Sequence, residues 1–377
     1  VSNIVPPADL APVGSPGPLS SVPRRPLLVG LTAFAAVAVA GLTWAKWDPY
    51  WHKLFHVLAT ANLGTSILTG KAKAPPAPSW HAALSYTIAY GKSIWIALVA
   101  ALLIASAVEA FLPRRWLLAV LQRGHSRLAG SVAGGLLALP CMMCTCCTAP
   151  LTVSIRRQGV PTSSALAYWV GNPTLNPAVL GFLAIVLPWQ WVTVRILIGV
   201  VLVVGVTTVV GRLSPGELDA TASQTMVPPV PSGATDLDGP TTLAGAGRRF
   251  LVALGRLSVT LLPEYLVVVL LLGGLRGWLF PVGHSLAGLG VLAVLVFAVV
   301  GTLFVIPTAG EIPIIQGLLG AGVGLGPAGA LLVTLPALSL PSMVMVGRSF
   351  PVRVILAMAG GVAVLGLGAA GLLVLLS

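Results

Sequence analysis

The chain has 377 residues, 56% of them hydrophobic and only 8% charged. Soluble domains carry about 25% charged residues, so the chain has too few polar groups to cover a globular surface, and a water-soluble fold is excluded. The net charge of +12 does not signal nucleic acid either: the 21 Lys and Arg are scattered between apolar runs and form no basic stripe, whereas helix ends near anionic headgroups suit them.

A spanning helix needs about 20 mainly apolar residues, and the charged residues mark out where such runs lie. Residues 1–25 are rich in Pro, Ser and Gly and read as a disordered tail. Pro26–Ala45 follows, enclosed by Arg25 and Lys46. It is longer than the h-region of a signal peptide, about 7–15 residues, and is expected to remain as a first helix. Residues 47–91 are less apolar and carry Trp47, Trp51, His52, His56 and Trp80. With that first helix they make up a unit of residues 26–91, ending in an interfacial segment with an aromatic belt. Lys92–Arg114 is apolar apart from Glu109; Leu128–Ile155, Gln158–Val194 and Ile196–Gly211 carry no formal charge inside. Residues 212–247, with Pro228, Pro229, Pro231 and Pro240 and four acids, read as a linker. Beyond it come Leu257–Leu275 with Glu264, the long Gly277–Gly347 stretch with Glu311, and Val354–Ser377. These runs predict an all-α polytopic membrane protein with about 8–10 membrane segments.

The linker divides the membrane part into residues 92–211 and 248–377. Placing Pro150 on Pro313, 163 residues later, sets Gly159 on Gly322, Ala165 on Ala328, Pro173 on Pro336 and Leu175 on Leu338. Two prolines and a glycine in register point to an internal repeat. Two pseudo-symmetric halves with broken or re-entrant helices are a hallmark of secondary transporters.

All four cysteines lie within seven residues, in Cys141-Met-Met-Cys144-Thr-Cys146-Cys147-Thr-Ala-Pro150. Pro150 has no N–H to give the carbonyl of Cys146, so a helix break is expected near Cys146 or Cys147, with Thr148 as a cap for a new half-helix. A thiol at such an N-terminus is biased towards thiolate. Thiolates are soft ligands for Cu(I), Zn or trivalent metalloids. Small buried hydrophobes, a strained disulfide and a structural zinc site are the alternatives.

Asn172-Pro173-Thr-Leu-Asn176-Pro177 cannot sit in an undisturbed helix: Pro173 frees the carbonyl of Trp169, and Pro177 frees that of Pro173. Irregular backbone at membrane depth needs protein or a water-filled cavity around it. Leu335–Pro341 would supply the matching break through Pro336 and Pro341, with Ser339 in the place of Asn176. Glu311, just before Pro313, is the only formal charge between Arg276 and Arg348. An acid at membrane depth costs at least about 2.5 kcal/mol and usually marks a pathway, a proton relay or a counter-charge. Proton coupling is therefore its expected role, and capping a half-helix is the alternative. Arg156 and Arg157 read as charges at a helix C-terminus, and Trp189 and Trp191 as interfacial anchors. There is no P-loop, HExxH or nucleophile elbow, so neither ATP drive nor membrane protease or lipase chemistry is indicated.

With these residues in view, the chain resembles the bacterial predicted permease family that includes organoarsenical efflux permeases. That family carries a Cys-Ser-Cys segment followed by Pro, an Arg-rich turn with Gly, and a helix ending in Asn-Pro. Here those are Cys144-Thr145-Cys146, Pro150, Arg156-Arg157-Gln158-Gly159 and Asn176-Pro177. Its second half carries a Cys-containing stretch before Glu-Ile-Pro, and Glu311-Ile312-Pro313 stands intact here. The resemblance covers roughly residues 92–375. Thr145 replaces a Ser, Cys147 replaces a Gly, and Ile306–Gly310 carries no cysteine, so a site using thiols from both halves is incomplete. The resemblance implies a bacterial inner-membrane permease that exports a small trivalent thiol-reactive solute along an ion gradient, not an enzyme, with no cofactor and no resident metal.

The expected site gathers Cys141, Cys144, Cys146, Cys147, Asn172, Asn176 and Ser339 around the solute, with Glu311 as the proton-coupling group. The breaks at Pro150, Pro173, Pro177, Pro313, Pro336 and Pro341 are expected to meet near the midplane. A membrane thiol-redox protein working through Cys141 and Cys144, and a passive channel, are the rival readings.

Overall fold

A helix rises about 1.5 Å per residue, so a hydrocarbon core of about 30 Å separates helices that can cross from those that can only enter. The computed structural model describes residues 24–70, 72, 74–121, 126–214, 243–280 and 290–377. The tail and most of the linker, residues 215–242, lie outside these. Among the described residues the only regular structure is helical, with no strand.

In chain order, α1 (Arg24–Leu42), a π-helical turn (Thr43–Trp47) and α2 (Asp48–Thr60) form one rod. There follow α3 (Trp80–Phe111), α4 (Arg114–Leu121), α5 (Arg127–Ala138), α6 (Thr145–Arg157), α7 (Thr162–Thr174), α8 (Pro177–Val186), α9 (Trp189–Val200) and, after a second π-helical stretch, α10 (Thr207–Gly211). Then come α11 (Leu243–Leu279), α12 (Val291–Leu303), α13 (Glu311–Gly320), α14 (Leu325–Ala337), α15 (Leu340–Val346) and α16 (Val352–Leu376). Among the described residues, seven helical stretches are long and apolar enough to cross a bilayer: the α1–α2 rod, α3, α7–α8, α9–α10, α11, α14–α15 and α16. By contrast α6, with 13 residues, is about 20 Å long and enters without crossing. The chain is an all-α polytopic membrane protein.

Helices α3 and α11 pack antiparallel against each other. Phe111, at the end of α3, stacks on Phe250 near the start of α11 at 5.9 Å, while Arg276 near the end of α11 donates to the Ala82 carbonyl at 2.7 Å. Small residues allow the close approach: a Cβ on Gly273 would stand 2.8 Å from the Tyr86 ring. The C-terminus of α6 meets the end of α3, with Ser154 donating to Glu109 at 3.0 Å. Helix α5 lies beside α7 and parallel to it, Gly134 against Ser164 and Gly135 against Gly171. Residues 127–157 therefore enter and leave at one end of the bundle, the end that carries Arg127, Arg156 and Arg157.

The second half runs the other way. Helix α12 lies parallel to α14, Gly326 against Val294 and Gly301 against Thr334. The α14–α15 stretch finishes at the arginine end, where Arg156 lies over the Phe350 ring at 5.5 Å. Residues 291–320 therefore enter from the opposite end. Four helix starts recur at one spacing in the two halves: Trp80 and Leu243, Thr162 and Leu325, Pro177 and Leu340, Trp189 and Val352 are each 163 positions apart. Positive-φ Gly159 (φ 87) and Gly322 (φ 85) turn the chain at the same offset. The boundaries drawn at residues 92 and 248 fall inside α3 and α11, because a charge does not by itself stop a helix.

Candidate functional site

Four interruptions converge on one cavity. It is lined by Cys144 and Thr145 at the start of α6, Pro173 at the end of α7, Ile306–Ala309 and Glu311 at the start of α13, and Leu335 and Pro336 near the end of α14. Its volume is about 10 Å³, room for roughly one water molecule. The site is closed.

The first break differs from the sequence expectation. Met142 adopts a left-handed φ of 50, Cys144 is the N-cap residue, and α6 begins at Thr145. Pro150 lies inside α6 and does not break it. Its missing N–H costs the one bond to Cys146, and the turn at 139–144 has already ended the preceding helix. Thr148 caps nothing; it donates back to the carbonyls of Cys144 (2.8 Å) and Thr145 (3.1 Å). Pro313 lies in the first turn of α13, after a left-handed Ala309 (φ 65). Pro177 and Pro341 stand in the first turns of α8 and α15, positions where no helical donor is lost. Pro173 and Pro336 lie in the last turns of α7 and α14.

The sulfurs divide. Cys144 and Cys147 share a helix face by their i, i+3 spacing, and their Sγ atoms are 3.2 Å apart. Cys146 points elsewhere, to the Ser339 hydroxyl at 3.3 Å, which Thr145 also meets at 3.2 Å. Cys141 is partly exposed and contacts the Tyr168 hydroxyl at 3.3 Å. No three His, Cys, Asp or Glu side chains among the described residues converge on a common metal position. The two asparagines hold backbone. Asn172 Oδ1 accepts the Met143 N–H at 2.7 Å, fixing the turn that presents Cys144. Asn176 Oδ1 caps α8, accepting from Ala178 and Val179. Their Nδ2 atoms are buried without partners.

Glu311 is 1% exposed, with Oε1 bonded to Arg195 Nη2 at 3.1 Å; its Oε2 has no partner and its side chain lines the cavity. In the sequence Arg195 closes an apolar run. It lies within the α9–α10 span instead, fully buried. Its guanidinium donates to the carbonyls of Thr174 (2.8 Å), Pro173 (3.0 Å) and Leu332 (2.5 Å). Those of Pro173 and Thr174 lack helical donors because α7 ends there, and that of Leu332 because Pro336 has no N–H. One side chain thus satisfies broken backbone from both halves. The missed signal was length: Ile196–Gly211 is too short to span alone.

Lys46 likewise closes the first apolar run in the sequence. It is 6% exposed in the π-helical turn between α1 and α2. Its ammonium donates to Thr308 Oγ1 at 3.1 Å and Tyr50 Oη at 3.3 Å, and Cys144 and Cys147 lie within electrostatic range. Among the described residues no carboxylate pairs with it. Trp47 adds a bond to the Pro140 carbonyl at 2.9 Å, so the first rod braces two of the breaks.

Comparison with known proteins supplies the family. Residues 79–374 match a family model described as "Predicted permease". The chain belongs to this predicted permease family. The permease is also 41% identical over 342 residues to the UPF0718 protein YraQ of Escherichia coli (strain K12), covering 91% of this chain and 94% of that one. No solved structure matches at a significant level. It is a multi-pass permease of the bacterial inner membrane, with a lipid bilayer around it and a small solute as cargo. The α1–α2 rod, with Lys46, precedes the matched region.

Proposed function

We propose that this permease uses an ion gradient to export a small thiol-reactive solute such as a trivalent organoarsenical, through two inverted repeats that rock about the closed cavity. The observation that carries the reading is the pairing of soft sulfur with a half-free acid. Cys144 lines the cavity and touches Cys147, and Glu311 faces the same space with one unpartnered oxygen. Two adjacent thiols chelate a trivalent thiophile, and a proton on Glu311 would loosen its bond to Arg195. The reversed entry of the two hairpins and the common 163-residue spacing support the inverted repeats, the usual frame for alternating access.

The test is uptake of a trivalent methylated arsenical into inside-out vesicles under an imposed proton gradient. Wild type should accumulate it, Cys144→Ser/Cys147→Ser should not, and Glu311→Gln should lose the dependence on the gradient. No accumulation by wild type would overturn the substrate. Downhill flux indifferent to the gradient would favour a channel. The sulfur pair also suits a second reading, a thiol-redox step, which requires Cys144 and Cys147 to be lost and regained together in thiol mapping.

A further inference from the structure

A second cavity, of about 230 Å³, opens between α3 and α11. Tyr90, Gly91, Ile94, Trp95, Tyr265 and Leu266 form most of its wall. Its rim faces outward at the middle of both spans, with Trp95 53% and Leu266 55% exposed, where the surroundings of a membrane protein are lipid tails. Its floor is Tyr90, 1% exposed, and Tyr265, 6% exposed. Their rings lie 6.1 Å apart; neither hydroxyl has a partner at full hydrogen-bonding distance, and what stands beside them is each other and the Cys146 thiol. Buried hydroxyls are ordinarily satisfied, and lipid tails supply no acceptor, so the pair marks a place where something else accepts. Behind them stand the thiols: Tyr90 lies within reach of Cys146, and Tyr265 within electrostatic range of Cys146, Cys144 and Cys147. The opening is therefore lined by hydrocarbon, floored by two hydroxyls short of full hydrogen bonds and backed by sulfur. Engineered apolar cavities of about 150 Å³ admit benzene, so this one has room for a substituted ring.

We propose that the cavity between α3 and α11 is a lateral binding site that admits from the bilayer an uncharged molecule with an alkyl or aryl group and a hydrogen-bond-accepting head, hands that head to the Tyr90 and Tyr265 hydroxyls, and brings it to Cys146. A resident acyl chain fits the walls but offers the hydroxyls nothing. This deepens the efflux reading by naming how a lipophilic solute enters, and rests on that reading for its purpose.

The experiment is alkylation of Cys146 by N-phenylmaleimide in the full chain carrying Cys141→Ser, Cys144→Ser and Cys147→Ser, in lipid nanodiscs. A Cβ on Gly91 meets nothing within 4 Å, so Gly91→Leu fills the cavity without a clash. Gly181, on α8 and equally unobstructed, is the matched control. Labelling should slow at least tenfold in Gly91→Leu and stay within twofold in Gly181→Leu. Tyr90→Phe/Tyr265→Phe should fold normally and also slow labelling, because the maleimide carbonyls lose their donors. An unlabelled parent, equal rates in parent and Gly91→Leu, or equal slowing in both glycine variants would overturn the proposal. The labelling needs no transport, so cavity-dependent labelling with no arsenical accumulation would fail the efflux reading alone.

Discussion

Arg195 joins chemistry to architecture in a single side chain. A buried ion pair broken by removing one partner costs roughly 3–5 kcal/mol, because the remaining charge stays buried. Arg195→Met should therefore destabilise the detergent-solubilised protein by about that amount, read from SDS unfolding. Methionine fits such a position, since Met358, 163 residues on, is fully buried. Arg195→Met/Glu311→Gln should recover more than half of the loss; a double variant as weak as the single would trace the damage to the Thr174, Pro173 and Leu332 carbonyls. Among the thiols, Cys144→Ser or Cys147→Ser alone should reduce arsenical transport at least tenfold, whereas Cys141→Ser should leave most of it, as checked by vesicle uptake. Arg195 and Lys46 were legible only as charges. A run of letters counts a charge as the end of a span, and it cannot tell one at the headgroups from one buried against the carbonyls of a distant helix. Glu311 was legible because no other charge lies near it in sequence, and its cost at membrane depth demands an explanation.

At the scale of elements, the proline pattern was informative and its placement was not. Pro173, Pro177, Pro336 and Pro341 do stand beside breaks, because each sits where a helix has just begun or is about to end. Pro150 does not, since the break is made earlier by a left-handed Met142, a conformation no residue type there announces. The broken hairpins also depend on glycines. A Cβ on Gly134 would lie 2.1 Å from the Ser164 carbonyl oxygen, and one on Gly301 2.1 Å from Thr334 Oγ1. The first obstacle is backbone and cannot give way, while the second is a side chain that can turn. Gly134→Val should accordingly cost more than the roughly 1–3 kcal/mol of ordinary overpacking, and Gly301→Val less than Gly134→Val, measured by the same unfolding. Equal losses would mean that α5 and α12 are not held against their neighbours in the manner described.

The whole molecule has a polarity that charge alone left undecided. Once residues 127–157 are seen to return to the end they entered, the start of α5, the end of α6, the start of α11 and the end of α15 all bring arginines to one face: Arg127, Arg156, Arg157, Arg248 and Arg348. The other face, at the starts of α3 and α9, carries Trp80 and Trp189, 72% and 64% exposed. By the bias of cytoplasmic loops towards Lys and Arg, the arginine face is predicted to lie in the cytoplasm. The hairpin turns at Gly159 and Gly322 then lie on opposite sides of the membrane. Gln158 and Ala321 are equivalent positions in the two turns, 163 residues apart. In a cysteine-free chain, a membrane-impermeant maleimide should label Ala321→Cys in spheroplasts and Gln158→Cys only in inside-out vesicles. The reverse pattern would turn the protein over in the membrane and keep the inversion of the halves. Labelling of both positions from one side would remove the inversion itself, and with it the ground for treating the two hairpins as alternating gates on the closed cavity between them.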